Sequence, residues 1–151
     1  MAKDEAVSVT GGCLCGAIRF AAAAYMRSAY YCHCTMCQKS TGEPFEIGIP
    51  IKVGTLRFTK GAPTYYRSSA FGRRGFCAAC GSRLLWAPTD AKNEWTTNVA
   101  VCAIDNPADV RPNCHIFTET MLPWLKIPDG LPNFLGSEMG PVLDRWRAER
   151  T

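Results

Sequence analysis

The chain has 151 residues, 47% of them apolar and 20% charged, with a formal net charge of +4. That is one domain of ordinary globular composition with room for a modest core. No membrane span is expected, because the apolar stretch from Ala17 to Met26 is short and interrupted by Arg19. The basic residues are dispersed except for Arg73-Arg74 and the tail residues Arg145, Arg147 and Arg150. This is not the basic stripe that a nucleic-acid footprint requires.

In chain order, Val7 to Thr10 and Ala17 to Ala24 read as short strands around the turn Gly11-Gly12-Cys13-Leu14-Cys15-Gly16. Ala29 to Cys32 reads as another strand, entering a single helical turn over Cys34 to Ser40. Strand character follows in Phe45 to Val53, Leu56 to Lys60 and Tyr65 to Ser69, punctuated by Gly42-Glu43-Pro44 and Gly61-Ala62-Pro63. Arg74 to Phe76 leads into a knuckle, Cys77 to Cys80, closed by Gly81. Arg83 to Ala87 and Trp95 to Cys102 read as two further strands. Asn106 to Pro141 carries Pro107, Pro112, Pro123, Pro128 and Pro132 and reads as irregular. Val142 to Arg150 can form a short helix with Val142, Leu143 and Trp146 on one face. Short strands broken by Gly and Pro predict a mainly β domain over residues 5–138, with 139–151 as a C-terminal tail that can hold a short helix.

Seven of the nine cysteines form three clusters: Cys13-x-Cys15, Cys32-x-Cys34-x-x-Cys37 and Cys77-x-x-Cys80. Cysteines at i, i+2 bridge poorly as disulfides, whereas such spacings gather sulfurs around zinc. The N-terminal MAKDEAVSVT has no apolar signal core, so a cytoplasmic chain with reduced thiols is expected. Two zinc ions would add four positive charges and seven thiolates would remove seven, leaving about +1. Two groupings satisfy the spacing. Cys34 and Cys37 can join Cys77 and Cys80 as a zinc ribbon, which strands Cys13, Cys15 and Cys32. Alternatively Cys13, Cys15, Cys77 and Cys80 form a closed site, and Cys32, Cys34 and Cys37 form a second site with a vacancy. The second grouping keeps every cluster intact and is preferred.

The runs GGCLCGAIRF, YCHCTMCQKSTGEPF, RGFCAACGSRLLW and HIFTETMLPWLKIPDGLPNF resemble the glutathione-dependent formaldehyde-activating enzyme family, whose domain is shared with centromere protein V. The resemblance extends from about Val7 to about Phe134. It implies a complex fold of several coiled, packed antiparallel sheets with zinc knuckles, similar to B-type methionine sulfoxide reductases. It also implies Cys13, Cys15, Cys77 and Cys80 as structural zinc ligands, and Cys32, Cys34 and Cys37 as ligands of the zinc assigned to catalysis. The implied activity is that of an S-(hydroxymethyl)glutathione synthase, a carbon–sulfur lyase that condenses glutathione with formaldehyde. A zinc with three thiolates is a weak Lewis acid and suits a soft fourth ligand such as a substrate thiol. The alternative is a non-catalytic zinc module for protein or nucleic-acid partners.

Other residues carry weaker expectations. His33 should be exposed, because neighbours in an extended segment point oppositely. His115 reads as a hydrogen-bonded structural residue, with a role beside the open zinc as the alternative. Cys102 and Cys114 match no ligand position and read as small buried hydrophobes. Phe45, Phe76, Trp86, Trp95 and Trp124 read as core, with Trp124 alternatively walling a pocket. Glutathione carries two carboxylates, for which Lys39, Arg73, Arg74 and Lys126 are candidate contacts. Arg73 and Arg74 read more simply as solvated charges.

Overall fold

The computed structural model describes residues 4–151. Eleven strands form two sheets: β1 (Val7–Gly12), β2 (Arg19–Ala24), β3 (Ala29–Cys32), β4 (Glu46–Pro50), β5 (Arg57–Lys60), β6 (Thr64–Arg67), β7 (Gly72–Phe76), β8 (Arg83–Pro88), β9 (Asn98–Ala100), β10 (Pro112–Ile116) and β11 (Asn133–Phe134). A three-stranded sheet runs β1-β2-β5, and an eight-stranded sheet runs β11-β10-β3-β4-β9-β8-β7-β6. The fold is mainly β, as expected. Most pairs are antiparallel, but β10 lies parallel to both β3 and β11.

Alternation positions the principal core. On β2, Phe20, Ala22 and Ala24 are buried while the residues between them are half-buried. They pack with Ile49, Leu84, Leu85 and Val99 of the large sheet. A second cluster joins Cys32, Cys37, Trp95, Cys114 and Ile116 to Met139, Val142 and Trp146. The last three come from helix α2 (Met139–Arg150). Trp146 stacks on Tyr30 of β3, with ring centroids 5.0 Å apart.

Three stretches depart from the sequence expectation. The proline-rich segment supplies β10, a strand with partners on both sides. Pro112 sits at its first residue, where a missing N–H is tolerated. The segment read as a strand over Trp95 to Cys102 is cut to three residues. A 3-10 turn over Ala91–Thr96 precedes β9, opened by Asp90, whose carboxylate accepts from the Lys92 N–H at 2.9 Å. A second such turn, Val101–Ala103, follows and leaves Cys102 exposed, so of the two unclustered cysteines only Cys114 is a buried hydrophobe. Helix α2 starts at Met139, because Pro141 falls in its first turn, where no intrahelical N–H bond is lost. Its buried face is Met139, Val142, Trp146 and Arg150, and Leu143 is turned outward. No helix among the described residues is long and apolar enough to cross a membrane.

Candidate functional site

Two groups of sulfurs converge. Cys13, Cys15, Cys77 and Cys80 have all four sulfurs within 4.8 Å of one another, and so do the three sulfurs of Cys32, Cys34 and Cys37. The ribbon grouping, with Cys34 and Cys37 beside Cys77 and Cys80, does not form. Each group could hold a metal ion.

The four-cysteine group is built from two turns. Cys13 ends the β1 side, and the chain reverses so that the Ile18 N–H donates to the Cys13 sulfur at 3.2 Å. The second turn hangs between β7 and β8. Gly16 and Gly81 close the two turns at φ of 76° and 75°, in the left-handed region that a Cβ would disfavour. Ser82 ties the turns together, accepting from the Leu14 N–H at 2.9 Å and lying 3.1 Å from the Cys80 sulfur. This contact pulls the Cys80 thiol down to about 5. The sulfur separations are 3.6 Å for Cys13–Cys15 and 3.8 Å for Cys15–Cys77. A tetrahedron with zinc–sulfur bonds of about 2.3 Å has edges of about 3.8 Å, so this donor set fits zinc.

The three-cysteine group is local. Cys32 ends β3, Cys34 caps helix α1 (Thr35–Thr41), and Cys37 lies in its first turn. The Cys37 N–H donates to the Cys34 sulfur at 3.3 Å. Capping and ligand geometry therefore come from the same short segment. Cys32 and Cys37 are buried and Cys34 is half-exposed. Contact with the Cys34 and Cys37 sulfurs, then burial, pushes the Cys32 thiol far up, while its two sulfur neighbours pull Cys34 down to about 2.

Two residues beside this cluster differ from expectation. His33 is fully buried, not exposed. Two rings cover it. Phe45 meets its ring edge-on, and His115 of β10 lies parallel to it. His33 Nε2 is 2.9 Å from His115 Nδ1, and His115 Nε2 is 3.0 Å from Asp129 Oδ2. With the Asp129 carboxylate accepting from His115 Nε2–H, His115 Nδ1 accepts in turn from His33 Nε2–H. Burial, then the neighbouring His115, lowers the His33 pKa to about 4. The convergent donor atoms of this cluster are the three sulfurs alone, and neither histidine belongs to it. The His33 carbonyl accepts from Gln38 Nε2 at 2.8 Å and Thr120 Oγ1 at 2.9 Å, locking the segment between the cysteines.

Arg74 is the second correction. It is not a solvated charge but is 6% exposed, with its two terminal nitrogens 3.7 and 3.6 Å from the Cys37 sulfur. Glu46 links it to Arg83. Sequence reading missed this triad of charges, and only the alternation of β7 (Arg73 out, Arg74 in) hinted at it. Arg73 is exposed over the Tyr65 ring, and Lys39 and Lys126 are exposed. Trp95 is buried, and Phe45, Phe76 and Trp86 are half-buried, whereas Trp124 is 68% exposed and is not core. Two surface clefts, of about 1750 and 750 Å³, are lined by none of Cys32, Cys34 and Cys37.

A family model described as glutathione-dependent formaldehyde-activating enzyme matches residues 8–120. The chain is 30% identical over 115 residues to an uncharacterized lyase of Schizosaccharomyces pombe, covering 71% of this chain and 83% of that one. Its fold is similar to the crystal structure of a Rhodobacter sphaeroides protein, with a TM-score of 0.52 and 19% identity, covering 82% of this chain and 98% of that chain.

Proposed function

The chain belongs to the glutathione-dependent formaldehyde-activating enzyme family, and from that premise we propose that it is a zinc-dependent carbon–sulfur lyase of the S-(hydroxymethyl)glutathione synthase type. Residues 5–138 form the zinc-binding unit in this reading. Cys13, Cys15, Cys77 and Cys80 hold a structural zinc, and Cys32, Cys34 and Cys37 hold a second with one position left for substrate. The observation that carries the reading is the unequal count of convergent sulfurs, four in one cluster and three in the other.

A zinc bound by three thiolates supplies a site for a soft ligand and lowers the pKa of a thiol bound there. The protein's own residues do the rest. Cap and first turn of α1 fix Cys34 and Cys37, and β3 fixes Cys32. Glutathione approaches from the α1 side, past half-exposed Cys34, because the other two cysteines are buried. Lys39, exposed near the end of α1, is the nearest of the candidate cations in sequence for a glutathione carboxylate. The glutathione sulfur attacks the carbonyl carbon of formaldehyde, a carbon–sulfur bond forms, and the carbonyl oxygen takes up a proton equivalent to the one the thiol lost. The reverse direction breaks the same bond. Nine free thiols suit a reducing compartment such as the cytoplasm.

The test is cobalt substitution followed by titration with glutathione. Two metal ions per chain are expected, with a glutathione-dependent change in the sulfur-to-cobalt absorption and measurable heat of binding. An unchanged spectrum together with no heat would sink the proposal.

A further inference from the structure

The charges packed around Cys37 do not cancel without the cysteines. The side chains of Arg74 and Arg83 are 7% and 12% exposed, and that of Glu46, which bridges them, is 6% exposed. One buried and one largely covered cation thus face one buried anion. Burying an uncompensated charge is strongly unfavourable, so a partner for the extra positive charge is required. Among the described residues, the only other group in hydrogen-bond contact with the Arg74 fork is the Cys37 sulfur. Arg83 spends its remaining contact on the Ser40 hydroxyl, at 2.9 Å, and Ser40 donates to the Cys37 carbonyl at 3.2 Å. The network therefore begins and ends on one turn of α1.

Three thiolates with one divalent cation carry a net charge of −1, the amount by which the Arg74–Glu46–Arg83 set is positive. We propose that Arg74 is a positioning residue of the three-cysteine site: its guanidinium fork, 3.7 and 3.6 Å from the Cys37 sulfur, orients that ligand, and with Glu46 and Arg83 it places one net positive charge beside a site that would carry −1 with a divalent cation bound. This rests on the reading of Cys32, Cys34 and Cys37 as metal ligands. It goes beyond that reading in assigning the site's charge preference to residues that touch no metal. A neutral ligand in the fourth position satisfies the balance, whereas a bound thiolate exceeds it by one charge. Attack on formaldehyde would move that charge from sulfur to the new alkoxide oxygen, and uptake there of the proton equivalent the thiol lost would restore the balance. The buried arrangement thus favours the protonated S-(hydroxymethyl) product over the bare thiolate.

Divalent cobalt is the probe, titrated into metal-free protein against a chromophoric chelator, with the two sites followed by their sulfur-to-cobalt absorption. In Arg74→Met, affinity at the three-cysteine site is expected to fall about 10–100-fold, the usual effect of losing a partner that orients a metal ligand, with the four-cysteine site unchanged. Arg74→Lys, which keeps the charge and loses the fork, should fall between. Glu46→Gln shifts the buried charge the other way and should raise affinity at the same site, which keeps the test decisive if Arg74→Met does not fold. Wild-type affinity in Arg74→Met, or a fall in Glu46→Gln, would overturn the inference. A wild-type protein that takes up a single cobalt would instead remove the three-cysteine reading beneath it, and the inference with it.

Discussion

The two cysteine clusters solve opposite problems. The four-cysteine group draws on segments 62 residues apart at Cys15 and Cys77, places Cys13 and Cys77 in the principal core, and takes its hydrogen bonds from backbone and a single serine. The three-cysteine group spans six positions of sequence, yet it is embedded in the second core cluster and contacted by a buried guanidinium. In the first, the sulfurs hold the chain. In the second, the chain holds the sulfurs. A site whose ligands are already fixed by a helix cap and a strand end can lose or exchange a ligand without unravelling what surrounds it.

The largest expected effect comes from deleting one sulfur on each side. If the four-cysteine group holds a structural zinc, as proposed, Cys77→Ser should abolish cooperative folding, because such a site contributes on the order of 10 kcal/mol, comparable to the whole stability of a small domain. Cys37→Ser should leave the far-UV circular dichroism and a cooperative melt in place, at a cost of about 1–3 kcal/mol, and remove one metal ion per chain. If Cys37→Ser unfolds the protein as fully as Cys77→Ser, the contrast between the clusters fails.

An intermediate effect is expected at the cover of the second cluster. Trp146 is 4% exposed and packs in the same cluster as Cys32 and Cys37. Trp146→Ala should cost about 3–5 kcal/mol in urea unfolding and loosen metal at the three-cysteine site selectively. Equal loosening at both sites would show that α2 supports the whole domain and not one cluster.

The smallest effect lies on the other side. Arg19 and Asp105 pair across a cleft also lined by Cys13 and Leu14. The Arg19 guanidinium, then the Thr10 hydroxyl, hold the Asp105 carboxyl down to about 2. A carboxyl with a depressed folded-state pKa stabilises the fold above its unfolded value near 4, and that contribution is lost as pH falls from about 4 through about 2. Both side chains are more than a third exposed, so the pair contributes less than about 1 kcal/mol. The difference in stability between wild type and Asp105→Asn should shrink over that pH interval. A difference that stays constant would mean that the pair does not form.

What the sequence made legible follows from how local each cause is. Seven of the first eight strands were readable, several of them because Gly or Pro marks an end, whereas β7 was read only as the lead into the knuckle; the cysteine clusters were readable because their spacing is itself the signal. β10 was not, since five prolines between residues 106 and 141 speak against helix but say nothing about one five-residue window free to pair. His33 was misread because its cover comes from His115, 82 positions away. Arg74 was misread for a similar reason: its exposure depends on where Cys37 and Glu46 are brought, and no local pattern in the sequence records that meeting.

The late arrival of β10 bears on how the chain is made. β3 receives β4 within twenty residues, but its other edge stays open until residues 112–116 have been synthesised and laid down in parallel. Parallel pairings across such separations form slowly. During synthesis the strand that ends in Cys32 therefore presents unsatisfied backbone groups and the Tyr30 and Tyr31 side chains to whatever is nearby, which is the kind of edge that templates aggregation. A truncated or stalled chain ending before β10 would carry that edge permanently. In this fold the interval between translating β3 and translating β10 is one in which that edge has no partner.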